Sequence, residues 1–144
     1  SLPLKEAKDD YDKKVFLEGA EIAYESILTS FAKGEKKKLK SLLTPNMVLN
    51  FDEAIAARNK DNIKSEFTFI GVKNSNVEKY EKIKNDIFAS VKFVSEVISV
   101  KKDKDNKIIE GNPDKIKQVI DRWKFTKNIL NKSPNWYLSE IISK

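Results

Sequence analysis

The sequence predicts an α+β fold, with N-terminal helices packed on one face of an antiparallel sheet of about four strands. Up to about residue 60, apolar residues recur every three or four positions, which is the spacing of one helix face. Beyond residue 62 apolar and polar residues alternate instead, which is the period of a half-buried strand. A run of helices followed by a run of strands is typical of the α+β class.

The first helix is predicted to begin near Asp12 and to end at Gly34. Gly34 is suited to the left-handed conformation that closes a helix, and Lys33 places a cation in the last turn. The apolar stripe consists of Phe16, Ala20, Ala23, Tyr24, Ile27, Leu28 and Phe31. Residues 1–9 are polar and contain Pro3, so we interpret them as a linker remnant before a domain at residues 10–144.

A second helix is predicted in EKKKLKSLL, residues 35–43, which separates lysines from leucines. The two sides consist of Lys36, Lys37, Lys38 and Lys40 and, opposite them, Leu39, Leu42 and Leu43. Thr44 followed by Pro45 is typical of an N-cap and first helical position, and therefore predicts a third helix through residue 60.

Four β segments are predicted after Asn62. They cover residues 67–80, with a turn between Gly71 and Asn76, and then residues 88–100, 119–125 and 136–142. The second segment places Ala89, Val91, Phe93 and Val97 on one face, and the third does the same for Val119, Asp121, Trp123 and Phe125. Turn-forming residues at 103–106, 111–114 and 133–135 separate the segments.

Composition restricts the chemistry that the chain can perform. Its 144 residues suit one domain, and the absence of cysteine and histidine excludes disulfides, thiol catalysis, the usual zinc ligands and a Ser-His-Asp triad. The four glycines are dispersed, and DKDNK at 103–107 lacks the glycine and glutamate of a calcium loop. No cofactor and no metal are therefore expected, and the sequence favours binding over catalysis.

Positive charge is the main indication of a partner. Lysine and arginine number 28 against 22 acidic residues, a net charge of +6 that favours lipid headgroups, nucleic acid or acidic proteins. A lysine-rich composition without any such partner explains the charge equally well. The Lys-Leu helix at 35–43 is the best membrane candidate, because a basic amphipathic helix can lie in a headgroup layer. The alternative is an ordinary surface helix with a solvated lysine face.

Asp121 is the one carboxylate that the pattern places among apolar residues. Burial there would raise the pKa of its carboxyl group and suit it to act as a general base. The more ordinary interpretation is that Asp121 pairs with a lysine or arginine at the rim of the sheet.

Six phrases occur together along the chain: FLEGA at 16–20, SLLTPNM at 41–47, FVSEVISV at 93–100, EGNPD at 110–114, D-x-W-x-F at 121–125 and PNWYL at 134–138. In this order they resemble the Tim-forty-four-like (Tim44-like) domain family over roughly residues 10–142. The family includes the mitochondrial inner-membrane subunit that anchors the import motor, its bacterial homologues and a mitochondrial ribosomal large-subunit protein.

The resemblance implies a curved sheet in a roll similar to that of nuclear transport factor two. It also implies peripheral binding to an anionic, cardiolipin-like inner membrane, with contact between residues 16 and 43, including the Lys-Leu helix. The implied walls of an apolar pocket are Phe51, Ile55, Phe93, Trp123 and Phe125. Because the motor-binding region of the eukaryotic protein lies outside this domain, recruitment of Hsp70 is not carried over, and no DNA partner is expected.

The sequence therefore predicts a non-enzymatic adaptor or scaffold at the inner membrane, in protein translocation or envelope assembly. Its chain begins at Ser1 rather than methionine, and we expect an upstream membrane anchor outside it. Two alternatives remain open. One is an RNA- or ribosome-binding module, and the other is a pocket enzyme of the isomerase or dehydratase type that uses Asp121.

Overall fold

The computed structural model describes the backbone of residues 10–143 and the side chains of residues 13–143. Three helices come first: α1 Asp10–Lys33, α2 Lys36–Lys40 and α3 Pro45–Lys60. Five strands follow: β1 Lys64–Ile83, β2 Asp86–Lys102, β3 Ile108–Gly111, β4 Lys117–Asn128 and β5 Tyr137–Ser143. The predicted α+β order is confirmed, and the predicted linker at 1–9 lies outside the described residues.

Helix α1 ends as its sequence predicts. Gly34 adopts a left-handed conformation with φ of 71°. Its N–H donates to the Phe31 carbonyl at 3.1 Å, and the Glu35 N–H donates to the Ser30 carbonyl at 2.9 Å. These two bonds form a Schellman motif, which satisfies carbonyls that the end of the helix would otherwise leave unpaired.

Helix α2 is shorter than the nine residues that the Lys-Leu pattern predicts, since only Lys36–Lys40 are helical. After Ser41 the chain leaves the helix to pair with β5. The Leu138 N–H donates to the Leu42 carbonyl at 2.9 Å, and the Thr44 N–H donates to the Leu138 carbonyl at 3.0 Å. Helix α3 then begins at Pro45, with Thr44 at the N-cap, as predicted.

The sheet is antiparallel and has the order β1-β2-β4-β5, with the short β3 pairing with the end of β2. Strand β2 is central because it pairs with β1 along one edge and with β4 and β3 along the other. The alternation predicted for residues 88–100 and 119–125 is confirmed. The buried side chains of these two strands include Ala89, Val91, Phe93, Val97, Asp121, Trp123 and Phe125.

Two features of the sheet differ from the prediction. The predicted turn between Gly71 and Asn76 is wrong, because β1 continues through this region and accommodates the irregular pattern as bulges. Register shifts occur between Phe69 and Gly71 and between Val72 and Asn74. A bulge inserts a residue and bends the strand without ending it. The second difference is β3, which is only four residues long and therefore too short for a visible alternation.

The core lies between α1 and the sheet and is rich in aromatic rings. The Tyr24 ring stacks on that of Phe93, with centroids 4.2 Å apart, and meets the Trp123 ring edge-on at 4.7 Å. Trp136 lies immediately before β5 and contacts Phe16 edge-on at 5.1 Å. Trp123 is therefore a core residue, whereas Trp136 packs the start of the last strand against α1.

Candidate lipid-facing helix and the Asp121 cavity

The lysines of α2 are exposed to solvent. Lys36, Lys37, Lys38 and Lys40 all lie on the surface. Among the described side chains none of these four makes an ion pair with a carboxylate. Backbone hydrogen bonds to α1 at one end, and between Leu42 and β5 at the other, hold the short helix in place.

The leucines of the same segment face the protein interior. Leu39 is 2% exposed and Leu43 is 4% exposed, and both belong to the core, while Leu42 packs partly buried against it. In this conformation the leucine side of α2 is covered by protein. The helix therefore offers an outside partner its lysines and not its leucines.

An open cavity of about 470 Å³ lies between the C-terminal half of α1, α3 and the paired strands β4 and β5. Its walls are mostly apolar, with polar groups from α3, β4 and β5. The lining residues include Ile27, Phe31, Met47, Phe51, Trp123 and Ile141 among the apolar ones and Asn46, Asn50, Asp121, Ser139 and Glu140 among the polar ones. No lysine or arginine is among the described residues that line this cavity, which we call the Asp121 cavity.

The five residues predicted as pocket walls do not share one pocket. Phe51 and Trp123 line the Asp121 cavity. Phe125 instead borders a second apolar groove, formed by α1, residues 41–42 just after α2, and residues 134–136. Ile55 lies at a third, more polar hollow beside Arg58. Phe93 is fully buried beneath the stacked ring of Tyr24 and lines none of these spaces.

Asp121 is 6% exposed and takes part in a buried network. The Tyr24 hydroxyl donates a hydrogen bond of 2.6 Å to Asp121 Oδ2, and the same hydroxyl oxygen lies 2.9 Å from Ser95 Oγ. Burial raises the pKa of the Tyr24 hydroxyl well above its ordinary value near 10, and the hydrogen bond to Asp121 adds to the increase. Tyr24 therefore stays protonated and remains a donor to the carboxylate.

This network combines three elements that are distant in sequence. Tyr24 comes from α1, Ser95 from β2 and Asp121 from β4, and 97 positions separate Tyr24 from Asp121. The sequence pattern predicts Asp121 as a candidate, whereas Tyr24 belongs there only to an apolar stripe. Nothing local to either residue indicates the pairing, because it arises when α1 crosses the sheet.

Neither a carboxylate cluster for a metal ion nor a membrane-spanning helix occurs in the part of the chain that the structure describes. Residues 13–143 contain no cluster of three or more Asp or Glu side chains that could hold a metal ion. None of the described helices combines the length and the hydrophobicity needed to cross a bilayer.

Comparison with solved structures gives a similar fold in the crystal structure of the intermembrane space region of the chloroplast protein ARC6. The TM-score is 0.51 at 12% sequence identity, and the match covers 86% of this chain and 97% of that chain. At this identity the likeness concerns the fold alone. A search of curated proteins gives no match.

A family model gives the more direct assignment. The model of the Tim44-like domain matches residues 3–143, which is nearly the whole chain and contains every element described above. The chain therefore belongs to the Tim44-like domain family.

Proposed function

We propose that this domain binds anionic inner-membrane lipid peripherally and acts as a non-enzymatic adaptor in protein translocation or envelope assembly. Membership of the Tim44-like family over residues 3–143 is the observation that carries the proposal, because it supports a membrane-associated role linked to translocation or the envelope. The adaptor role would connect the membrane to components of a translocation machinery.

The charge distribution supports the lipid half of the proposal. The chain carries a net charge of +6, and the four lysines of α2 are exposed without an ion pair among the described side chains. Each lysine close to an anionic membrane contributes about 1 kcal/mol to binding. Because Leu39 and Leu43 are buried, the contribution of α2 is electrostatic and should weaken as salt screens it.

Flotation with vesicles tests the proposal. The protein is expected to float with vesicles that contain cardiolipin, to remain behind with phosphatidylcholine vesicles, and to be released by high salt. The variant in which the α2 lysines at 36, 37, 38 and 40 become glutamine should bind more weakly. A matched control replaces the exposed lysines at 104, 107, 115 and 117 and removes the same charge elsewhere. If the unchanged protein ignores cardiolipin vesicles at low salt, the lipid proposal fails.

The same protein can be tested for the RNA-binding alternative. Retention of ribosomal RNA at low salt, with no binding to cardiolipin vesicles, would favour a ribosome-facing module over a membrane domain. Binding to lipid without retention of RNA supports the membrane proposal.

The Asp121 cavity supports a second candidate function, the binding of a small apolar ligand. Its volume of about 470 Å³ is in the range of small-molecule sites, which are typically apolar with a few placed polar groups. The carboxylate of Asp121 and the absence of lysine or arginine among the described lining residues favour a ligand whose polar end donates hydrogen bonds. An apolar amine therefore suits this wall better than a fatty acid.

Trp123 lies in the cavity wall and provides a fluorescent reporter. Decylamine is expected to change the tryptophan emission at lower concentration than decanoic acid does. Asp121→Asn, which keeps the size of the side chain, should remove the difference between the two probes. Equal responses to both probes in the unchanged protein would contradict this second candidate.

A further inference from the structure

Two turns meet at one end of the sheet. Lys84 and Asn85 connect β1 to β2, and the paired residues Ile83 and Asp86 close this hairpin. The chain leaving β4 runs beside it, since the Ile129 N–H donates to the Asn85 carbonyl at 2.8 Å. We call residues 82–86 and 127–132 together the double-turn tip. Its backbone is held by these bonds, so its surface is present without refolding.

The double-turn tip exposes aliphatic side chains where turns usually carry polar ones. Ile83 is 55% exposed, Ile129 is 39% exposed and Leu130 is 72% exposed. By contrast Ile87, one residue beyond the hairpin closure, is buried. The backbone bond between Ile129 and Asn85 places these exposed residues on adjacent segments. Isolated apolar residues on a surface are common, whereas clustered ones mark interaction sites.

Lysines flank these aliphatic residues along both segments of the chain. Positions 82, 84, 127 and 132 are lysines, and among the described side chains none of them makes an ion pair. The tip contains a single carboxylate, Asp86, which accepts a hydrogen bond of 2.9 Å from the Asn128 side chain. The tip is therefore both apolar and strongly positive.

The opposite end of β2 provides a contrast within the same sheet. It also exposes aliphatic side chains, at Ile108, Ile109 and Ile116. Carboxylates are interspersed there, since the adjoining turns and β3 contain Asp103, Asp105, Glu110 and Asp114. Residues 101–117 also contain six lysines, but these stand against four carboxylates, and Lys101 and Lys102 are ion-paired. The double-turn tip has four lysines and one carboxylate, so its positive charge is less opposed.

We propose that the double-turn tip is a membrane-docking surface, whose aliphatic side chains enter the headgroup layer of an anionic bilayer while its lysines contact lipid phosphates. The inference rests on the proposed lipid binding and adds a second contact surface to the lysines of α2. Aliphatic groups between lysines suit an anionic bilayer. The aliphatic side chains are buried in the headgroup layer at the same place where the lysines are attracted to anionic lipid. An RNA site would be expected to present aromatic rings for stacking, and residues 82–86 and 127–132 contain none.

The absence of cysteine allows a direct test with one label per molecule. A single cysteine is introduced as Leu130→Cys and labelled with an environment-sensitive fluorophore. Cardiolipin vesicles should shift its emission to the blue, and phosphatidylcholine vesicles should not. The control Ile109→Cys, exposed at the opposite end of the sheet, should show no shift with either vesicle.

Affinity gives the second measurement. A triple variant with Ile83→Ser, Ile129→Ser and Leu130→Ser keeps every lysine and should lose about tenfold or more in partitioning to cardiolipin vesicles. The matched variant Ile108→Ser, Ile109→Ser and Ile116→Ser should bind as the unchanged protein does. Because all six positions are exposed, far-ultraviolet circular dichroism should be the same for all three proteins.

The outcomes separate this inference from the proposed function. Strong vesicle binding by the unchanged protein, with no loss in the tip variant and no shift at Leu130→Cys, overturns the tip and leaves the lipid-binding proposal standing. Failure of the unchanged protein to bind cardiolipin vesicles overturns both. A fluorescence shift that requires RNA, or one that appears with rising protein concentration in the absence of vesicles, assigns the tip to RNA or to a second copy of the chain and also overturns it.

Discussion

The surroundings of Asp121 and the double-turn tip are opposite exceptions to the usual burial of residues. Charged residues are normally exposed and aliphatic residues are normally buried. Inside the molecule a carboxylate lies among aromatic rings, and at the tip Ile83, Ile129 and Leu130 face solvent. The interior exception is explained by neighbours within the chain, since the Tyr24 hydroxyl donates to the carboxylate at 2.6 Å. No described residue covers the three aliphatic side chains at the tip in a comparable way. Their exposure is therefore the feature that suggests a partner outside the molecule.

The largest expected effect tests whether the Asp121 neighbourhood is core. Trp123→Ala removes a ring that contacts Tyr24, Phe93 and Phe125, and should lower the free energy of unfolding by about 3–5 kcal/mol. Denaturant unfolding measures the change. A loss of much less than this would mean that Trp123 acts mainly as an open cavity wall, and would weaken the contrast between the two regions.

A second prediction assigns the leucine side of α2 to the interior. Leu39→Ala should cost about 2–5 kcal/mol of unfolding free energy, because this fully buried side chain leaves a cavity when it is shortened. Leu42→Ala, at a half-buried position, should cost less. If Leu39→Ala left stability unchanged but reduced vesicle binding, Leu39 would belong with the lipid-facing residues rather than with the core.

Tyr24→Phe tests the polar explanation of the buried carboxylate. The substitution keeps the ring that stacks on Phe93 and removes the donor to Asp121, so it should cost about 1–3 kcal/mol at neutral pH. The double variant Tyr24→Phe with Asp121→Asn should cost less than the sum of the two single changes, because the residues interact directly. Additive costs would show that the hydrogen bond contributes little.

The same hydroxyl predicts how stability depends on pH. The pKa of Tyr24 is raised in the folded protein, whereas in the unfolded chain it is about 10. The contribution of the protonated hydroxyl is therefore complete below about pH 10 and falls as the pH rises above it. Unfolding free energies measured from neutral to alkaline pH should show the difference between the unchanged protein and Tyr24→Phe becoming smaller. A difference that stays constant with pH would contradict the raised pKa.

Sequence patterns predicted the elements whose periodicity is set by a single buried face. The stripe of α1 and the alternation of β2 and β4 each depend on contact with one core, and the structure confirms these predictions. Two features of the fold could not be predicted from the sequence. The bulges of β1 interrupt the alternation of apolar and polar residues in the same way as a turn does. The pairing of Tyr24 with Asp121 depends on how α1 crosses the sheet.

The Lys-Leu segment illustrates a limit of a different kind. A helix with leucines on one side has the same pattern whether that side meets lipid or the protein's own core, and here Leu39 and Leu43 are buried. The double-turn tip has no periodic pattern at all, since its residues come from two turns that only the pairing of β2 with β4 brings together. Only the folded chain brings its exposed aliphatic residues and lysines onto adjacent segments.

The smallest expected effect on folding is at the tip, and it completes the comparison with the interior. Leu130→Ser should change the unfolding free energy by no more than about 0.5 kcal/mol, because the side chain is 72% exposed. The same denaturant measurement that detects Trp123→Ala serves as its reference. A large destabilisation would mean that Leu130 packs within the protein in solution. Contacts within the chain would then account for Leu130, as the bond to Tyr24 accounts for the buried Asp121. A stable variant that binds vesicles less tightly would show that this aliphatic side chain is kept for contact with something outside the chain.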